Sequence, residues 1–224
     1  MQIGQKFMPQ GLNRFEKIFY INLAHRTDRN AVLLQELQKM GVEPQKIVRI
    51  EGNLDVLNGH RGCALSHIHA LKLAQQMGLQ EVLILEDDAY FHTNQEEIEK
   101  HLSLFFQHVP SYDILLLGAR VEQYQSCQID GIYRAIIARL AHAYVVKNHY
   151  IPKLLEVFEN TYKTMLKIPT FNQVHDKAID RAWDPLFEKD LILFTKIFAY
   201  QRGGYSDIQR FTHEDIFKYL KEVD

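Results

Sequence analysis

Cysteine is scarce in this chain of 224 residues. Cys63 and Cys127 stand far apart with no Cys-x-x-Cys pair, which excludes both a disulfide framework and a thiolate zinc site and leaves two reduced thiols in a cytoplasmic protein. Positive charge is not in excess either: 26 Lys and Arg against 28 Asp and Glu give a formal charge of −2. Non-specific nucleic-acid binding and a polybasic membrane anchor both need a basic surplus, so no nucleic acid is expected as a partner. No apolar run approaches ~18 residues, so no integral membrane segment is expected, although peripheral membrane association stays open. Met1 to Arg14 lacks an apolar h-region and reads as a flexible leader rather than a secretory signal. Six prolines and 11 glycines exclude collagen-like and low-complexity chains. A Gly-x-x-x-x-Gly-Lys-Ser/Thr phosphate loop is missing, and no Ser/His/Asp or Cys/His context for nucleophilic hydrolysis stands out.

The composition that remains is 46 % hydrophobic and 24 % charged, and a chain of this length buries roughly 70 % of its unfolded surface. Residues 15–224 are expected to form a single domain. Short apolar runs alternate with amphipathic stretches. Ile18 to Ile21, Lys46 to Ile50, Glu81 to Leu85 and Tyr112 to Leu117 read as strands. Arg29 to Met40 (capped by Thr27 or Asp28), Cys63 to Met77 and Gln95 to Gln107 read as helices, with Gly59 to Gly62 as a turn. Strands separated by helices of this length imply βαβ units and a mostly parallel sheet covered on both faces. Further on, Ile132 to Ile137 and Ala141 to Val146 look like strands, and Asn148 to Tyr162 and Asp176 to Glu188 like helices. Leu191 to Tyr200 is a last strand-like run, and Thr212 to Glu222 a terminal helix; Lys163 to Gln173 is the one stretch that could be a linker.

Glu86-Asp87-Asp88 carries the most chemistry. Three adjacent carboxylates follow a purely apolar strand, and ligands in open α/β sheets bind outside the carboxyl ends of strands. If the chain stays extended, Glu86 and Asp88 point one way and Asp87 the other. Two facing carboxylates suit a hard divalent cation, Mn2+ or Mg2+. The alternative is a solvated acidic turn. Gly62-Cys63-Ala64-Leu65-Ser66-His67 opens a helix whose free N–H groups could face an anion, or is only a tight turn into a packed helix. His67 and His69 lie ~200° apart around a helix and cannot grip one metal. Asn22-Leu23-Ala24-His25-Arg26-Thr27-Asp28-Arg29 places two arginines at a strand-to-helix turn, fit for a nucleotide diphosphate or for a plain helix start. Asp176 and Asp180 are four apart and share a helix face, and Asp207 follows Gly203-Gly204-Tyr205-Ser206 in a loop.

Four blocks, in order, resemble family 25 glycosyltransferases, which include bacterial lipooligosaccharide and collagen galactosyltransferases. These are Phe19-Tyr20-Ile21-Asn22-Leu23 with Arg26, Asp28 and Arg29; Gly62 to His67 with Lys72; Leu83 to Asp88; and, more loosely, Ala143 to Val146, Asp176 to Trp183 and Ser206-Asp207-Ile208. The resemblance implies a GT-A-like nucleotide-sugar-binding α/β sandwich and inverting, metal-dependent transfer of a hexose, galactose or glucose, from a UDP-sugar. The acceptor would be a hydroxyl of an oligosaccharide or glycolipid such as lipooligosaccharide. It assigns the metal to Glu86 and Asp88 with Asp207 as a further contact. Asn22, Leu23, Arg26, Arg29, Gly62, Ser66, His67 and Asp87 go to the donor, and Asp176 first and Asp180 second to the catalytic base. The competing functions are a metal-dependent phosphohydrolase or nucleotidyltransferase, and an inactive carbohydrate- or partner-binding module.

Overall fold

The purest apolar run becomes the central strand. In the computed structural model, which describes residues 11–168, 177–210 and 212–213, Glu81–Glu86 forms β3, and Val82, Leu83, Ile84 and Leu85 are all fully buried. Side chains alternate along a strand, so Val82 and Ile84 enter one apolar core while Leu83 and Leu85 enter the other. β1 (Ile18–Asn22) lies parallel beside β3, and β2 (Ile47–Glu51) parallel beyond it. On the other side stand β6 (Tyr133–Lys147), β5 (Ile114–Ser126) and β7 (Ile192–Phe194), giving the order β2-β1-β3-β6-β5-β7. β6 runs antiparallel to both neighbours and β7 parallel to β5, so five of the six strands point the same way. The α/β architecture with a mostly parallel central sheet is as expected.

Helices cover both faces. Leu33 and Leu37 of α1 (Thr27–Lys39) and Ile98, Leu102 and Phe105 of α3 (Gln95–His108) close the core on the side of Leu83 and Leu85. Ala64, Ile68 and Leu71 of α2 (Gly59–Gln76) and Leu154 and Phe158 of α4 (Ile151–Met165) close the other, with Ile179 of α5 (Ile179–Ala182) and Phe187 of α6 (Asp184–Phe187). Among the described residues no helix is long and apolar enough to cross a membrane.

Several expected elements differ. Gly11–Arg14 forms a 3-10 turn with Leu12 buried, so these four residues are packed rather than a flexible leader; residues 1–10 lie outside the described ones. Neither Thr27 nor Asp28 caps α1; Arg26 holds the cap position, and Asp28 instead pairs with it at 2.9 Å. Gly59 to Gly62 is not a separate turn but the first turn of α2, capped by the Asn58 side chain, which accepts from the Arg61 N–H. The two strands expected between Ile132 and Val146 are one, β6. The helix expected from Asp176 to Glu188 is broken at Trp183, because Pro185 lacks an N–H and disfavours helical geometry just before it. The run from Leu191 to Tyr200 divides into β7 and β8 (Ala199–Gln201), the latter pairing with β4 (Ala89–Phe91). Thr212–His213 is not helical but forms β10, antiparallel to β9 (Gly204–Tyr205); the rest of that expected helix lies outside the described residues.

Candidate active site

β1 and β3 are paired so that Ile21 sits opposite Glu86, which sets Asn22-Leu23 and Glu86-Asp87-Asp88 side by side at the carboxyl edge of the sheet. A cleft of about 370 Å3 opens there. Of the residues singled out from the sequence, Leu23, Arg29, Ser66, His67, Glu86, Asp87, Asp88, Asp180 and Asp207 line it. Asp176 lies outside the described residues. Asn22, Arg26 and Gly62 do not line the cleft and act behind its wall.

The expected alternation of the three acids does not hold. β3 ends at Glu86, and Asp87 and Asp88 form the turn into β4, so they are not extended strand neighbours. Glu86 is directed at α2: its Oε1 lies 3.1 Å from His67 Nε2 and 3.9 Å from Cys63 Sγ. Asp87 and Asp88 both turn toward α1, where Arg29 Nη1 donates to Asp87 Oδ1 at 2.9 Å and to Asp88 Oδ2 at 3.2 Å. Asp87 Oδ2 accepts from Asn22 Nδ2 at 2.8 Å. Asp88 Oδ1 is buried and has no hydrogen-bond partner among the described residues.

This division of partners separates the three acidities. Burial pushes the Glu86 carboxyl up, but the His67 hydrogen bond and the charges of His67, His142 and Arg29 outweigh it and leave it below the usual range. Asp87 is raised by burial, against the opposing pull of Arg29 and Asn22. Asp88 is pushed up to about 8, first by burial and then by the Glu86 charge. A buried acid whose pKa stays raised although Arg29 lowers it, and which has an uncommitted oxygen, suits a divalent ion that would displace its proton. The donor set is oxygen only, as Mn2+ and Mg2+ prefer. Asp88 therefore fits an oxygen ligand of the expected metal.

The remaining residues have different tasks. Asn22 is 1 % exposed and joins two elements, donating to Asp87 and accepting from Arg49 Nε at 3.0 Å. Arg26 pairs with Asp207 at 2.5 Å, and His25 Nε2 lies 3.1 Å from the other Asp207 oxygen. Together with Arg29 donating to the Tyr205 carbonyl at 2.8 Å, these bonds strap residues 205–207 across the start of α1. Both Asp207 oxygens are thus engaged by protein side chains. Gly62 is required by packing: a Cβ there would come within 2.2 Å of the Asn53 carbonyl oxygen. Ser66 Oγ accepts from the Asn53 N–H at 2.8 Å and so anchors the same loop. Asp180 enters the cleft with its Oδ2 accepting from the Leu140 N–H at 3.0 Å, and Leu140 holds a left-handed φ of 67°.

Sequence reasoning gave the side chains of Cys63 and Tyr144 and the amide of Leu140 no part in the site. Cys63 and His67 are one helical turn apart, a spacing readable from the sequence, whereas the Tyr144 hydroxyl 3.0 Å from His67 Nδ1 is purely tertiary.

The chain is similar to known proteins in sequence and in fold. A family model described as glycosyltransferase family 25 (LPS biosynthesis protein) matches residues 53–169. The chain is 24 % identical over 150 residues to the rat "Probable inactive glycosyltransferase 25 family member 3", covering 55 % of this chain and 26 % of that protein. It is 25 % identical over 131 residues to human "Procollagen galactosyltransferase 2", covering 47 % and 21 %. The matched region spans about a quarter of the length of these curated relatives. Among solved structures, a glycosyltransferase involved in the glycosylation of the major capsid of PBCV-1 superposes with a TM-score of 0.43 at 11 % identity, over 87 % of this chain and 95 % of that one.

Proposed function

The chain belongs to glycosyltransferase family 25, and from that premise we propose that it transfers a hexose, galactose or glucose, from a UDP-sugar to a hydroxyl of an oligosaccharide or glycolipid acceptor such as lipooligosaccharide, with inversion at the anomeric carbon. The observation that carries this reading is Asp88: a carboxyl at the strand ends that lines the cleft, is raised to about 8, and has one buried oxygen without a hydrogen-bond partner among the described residues. A divalent cation held by Asp88 would supply neutralisation of the charge that develops on the departing diphosphate.

The chain's own residues do the rest. Arg29 holds Asp87 and Asp88 in one orientation, and Asn22 fixes Asp87 from behind, so the turn is set before a donor arrives. Leu23, at the end of β1, offers an apolar wall for the donor's base. As UDP leaves, the sugar becomes oxocarbenium-like, and the acceptor hydroxyl attacks the opposite face. Asp180 takes the hydroxyl proton: the Leu140 N–H holds its Oδ2, and its second oxygen is the base. Asp176, the other candidate base, is weighed against it by substitution below.

The test is a panel of UDP-sugars with and without an oligosaccharide acceptor, in Mn2+ and in EDTA, scored for UDP release. Acceptor-dependent release that vanishes in EDTA is expected. Full release without acceptor would point instead to a phosphohydrolase. The names of relatives such as the rat protein favour one second reading, a carbohydrate-binding module without turnover; it predicts UDP binding but no release under any condition.

A further inference from the structure

The carboxylate that begins the acidic turn also belongs to a second cluster of different chemistry. Cys63 and His67 face the same way from consecutive turns of α2, and Glu86 meets them from the end of β3. Cys63 Sγ, His67 Nε2 and Glu86 Oε1 all lie within 4.8 Å of one another, with His67 to Glu86 at 3.1 Å and Cys63 to Glu86 at 3.9 Å. The edges of a tetrahedron around zinc, at its usual bond lengths to S, N and O, are roughly 3.3–3.6 Å. Movements of a few tenths of an ångström at the two hydrogen-bonded edges would bring them there. His67 Nδ1 lies 3.0 Å from the Tyr144 hydroxyl, which supplies the outer hydrogen bond that zinc-bound histidines carry. All three residues line the cleft, so an ion can reach them and keep a fourth position open toward it.

We propose that Cys63, His67 and Glu86 form a Zn2+ site, separate from the hard-cation position at Asp88, and that zinc held there inhibits the enzyme. A sulfur, an imidazole nitrogen and one carboxylate oxygen make a borderline-soft set that favours Zn2+ over Mn2+ and Mg2+, whereas the oxygens of Asp88 favour the reverse. Inhibition follows because zinc places a positive charge beside the acidic turn, where a second cation must bind. Binding releases two protons to water, that of the Cys63 thiol and that which His67 Nε2 shares with Glu86, and leaves the imidazole proton on Nδ1, donated to Tyr144; no electrons move. The absence of a Cys-x-x-Cys pair spoke against a thiolate zinc site, but that rule addresses thiols adjacent in sequence and not a mixed set assembled by one helix turn and one strand end.

The site stands independently of the transfer reading; the inhibition rests on it. The test titrates Co2+ as a spectroscopic stand-in into the full chain after EDTA treatment and removal of the chelator, with no donor present. One ion per chain is expected, with a sulfur-to-cobalt charge-transfer band in the near ultraviolet that Zn2+ abolishes. The band should be lost in Cys63→Ser, with zinc affinity down at least ~30-fold, and retained in Cys127→Ser. Because the chain has only two cysteines, a band retained in Cys127→Ser identifies Cys63 even if Cys63→Ser does not fold. No band in the parent, or a band that persists in folded Cys63→Ser, overturns the site. Zinc should then suppress Mn2+-dependent UDP release at least ~10-fold; a zinc-loaded parent that still turns over at its full rate overturns the inhibition. A parent with no turnover under any condition refutes the transfer reading, and the inhibition with it, while the band still decides the site.

Discussion

Replacing Asp88 by asparagine should make the metal-free protein more stable, and increasingly so as the pH rises. The carboxyl is pushed from an ordinary 3.8 to about 8 by burial and by the Glu86 charge. For a group whose folded pKa is raised, the favourable contribution is complete below the unfolded pKa and is lost as pH climbs through the folded one. The parent therefore loses up to ~1.4 kcal/mol per pH unit between about pH 4 and pH 8, which amounts to about 5 kcal/mol by pH 7.5. Solvent reaches 17 % of the side chain, and asparagine, while keeping an acceptor for Arg29, gives up the charge that Arg29 faces. A net gain of about 1–3 kcal/mol at pH 8 is expected, shrinking toward pH 5. At this chain length that is roughly 3–10 °C in Tm. Thermal melts in EDTA from pH 5 to pH 9 measure it directly. Mn2+ with UDP should then stabilise the parent by ~2.7 kcal/mol at a hundredfold excess over Kd and Asp88→Asn by almost nothing, which closes or reverses most of that gap. A gap that does not grow with pH, or equal stabilisation of both proteins by Mn2+ and UDP, would refute the assignment of Asp88 as the residue that awaits the cation.

Three further outcomes are expected. Gly62→Ala drives a Cβ to within 2.2 Å of the Asn53 carbonyl oxygen and 3.0 Å of the Asp55 amide nitrogen, both backbone, and should cost roughly 1–3 kcal/mol in a urea titration; a loss under ~0.5 kcal/mol contradicts the close approach. Asp180→Asn should lower kcat by ~10²–10⁴ without altering the Kd for UDP, and Asp176→Asn measured beside it must be the milder change if Asp180 is the base. Burial pushes the Asp207 carboxyl up, but Arg26 and His25 outweigh it and hold it below 3.8. Its contribution is therefore present above about pH 4 and lost as pH falls through the folded value, so Asp207→Asn should be destabilised at pH 7 and indistinguishable from the parent under strong acid. Faster proteolysis of residues 203–210 in the same variant would report release of the strap.

The elements that could be read from sequence are those whose pattern is set locally. Val82 to Leu85 is apolar without interruption because both faces of the central strand are buried, and Gln95 to His108 repeats its apolar positions because one helix face is. Where tertiary contact overrides local preference the reading failed. Gly59 and Gly62 look like turn residues, yet they are glycine because the backbones of Ile208 and Asn53 press against the first turn of α2. β6 reads from sequence as two strands with a break over Ala138 to Leu140, yet the strand runs through it and only Leu140, at φ 67°, departs from extended geometry. Its amide there donates to Asp180, forty residues away in sequence, a bond no local pattern announces.

The acidic turn shows the same limit at the level of chemistry. Residue types and the strand before them are enough to place three carboxylates at a ligand-binding edge, but not to divide the work among them, because that depends on which neighbours each one meets. Had the chain stayed extended, Glu86 and Asp88 would have been equivalent ligands. The turn into β4 instead hands Glu86 to the imidazole and thiol of α2, ties Asp87 to Arg29 and Asn22, and leaves Asp88 with an oxygen to spare. His67 beside it favours the Glu86 anion, and burial first and the Glu86 charge second push the Asp88 carboxyl up. Loss of the His67 ring would therefore act through two steps: it removes the partner that favours the Glu86 anion, and a Glu86 that protonates more readily no longer holds Asp88 so high. A cation at Asp88 and a cation at Cys63, His67 and Glu86 draw on that one shared charge, which is why occupancy of either should oppose the other.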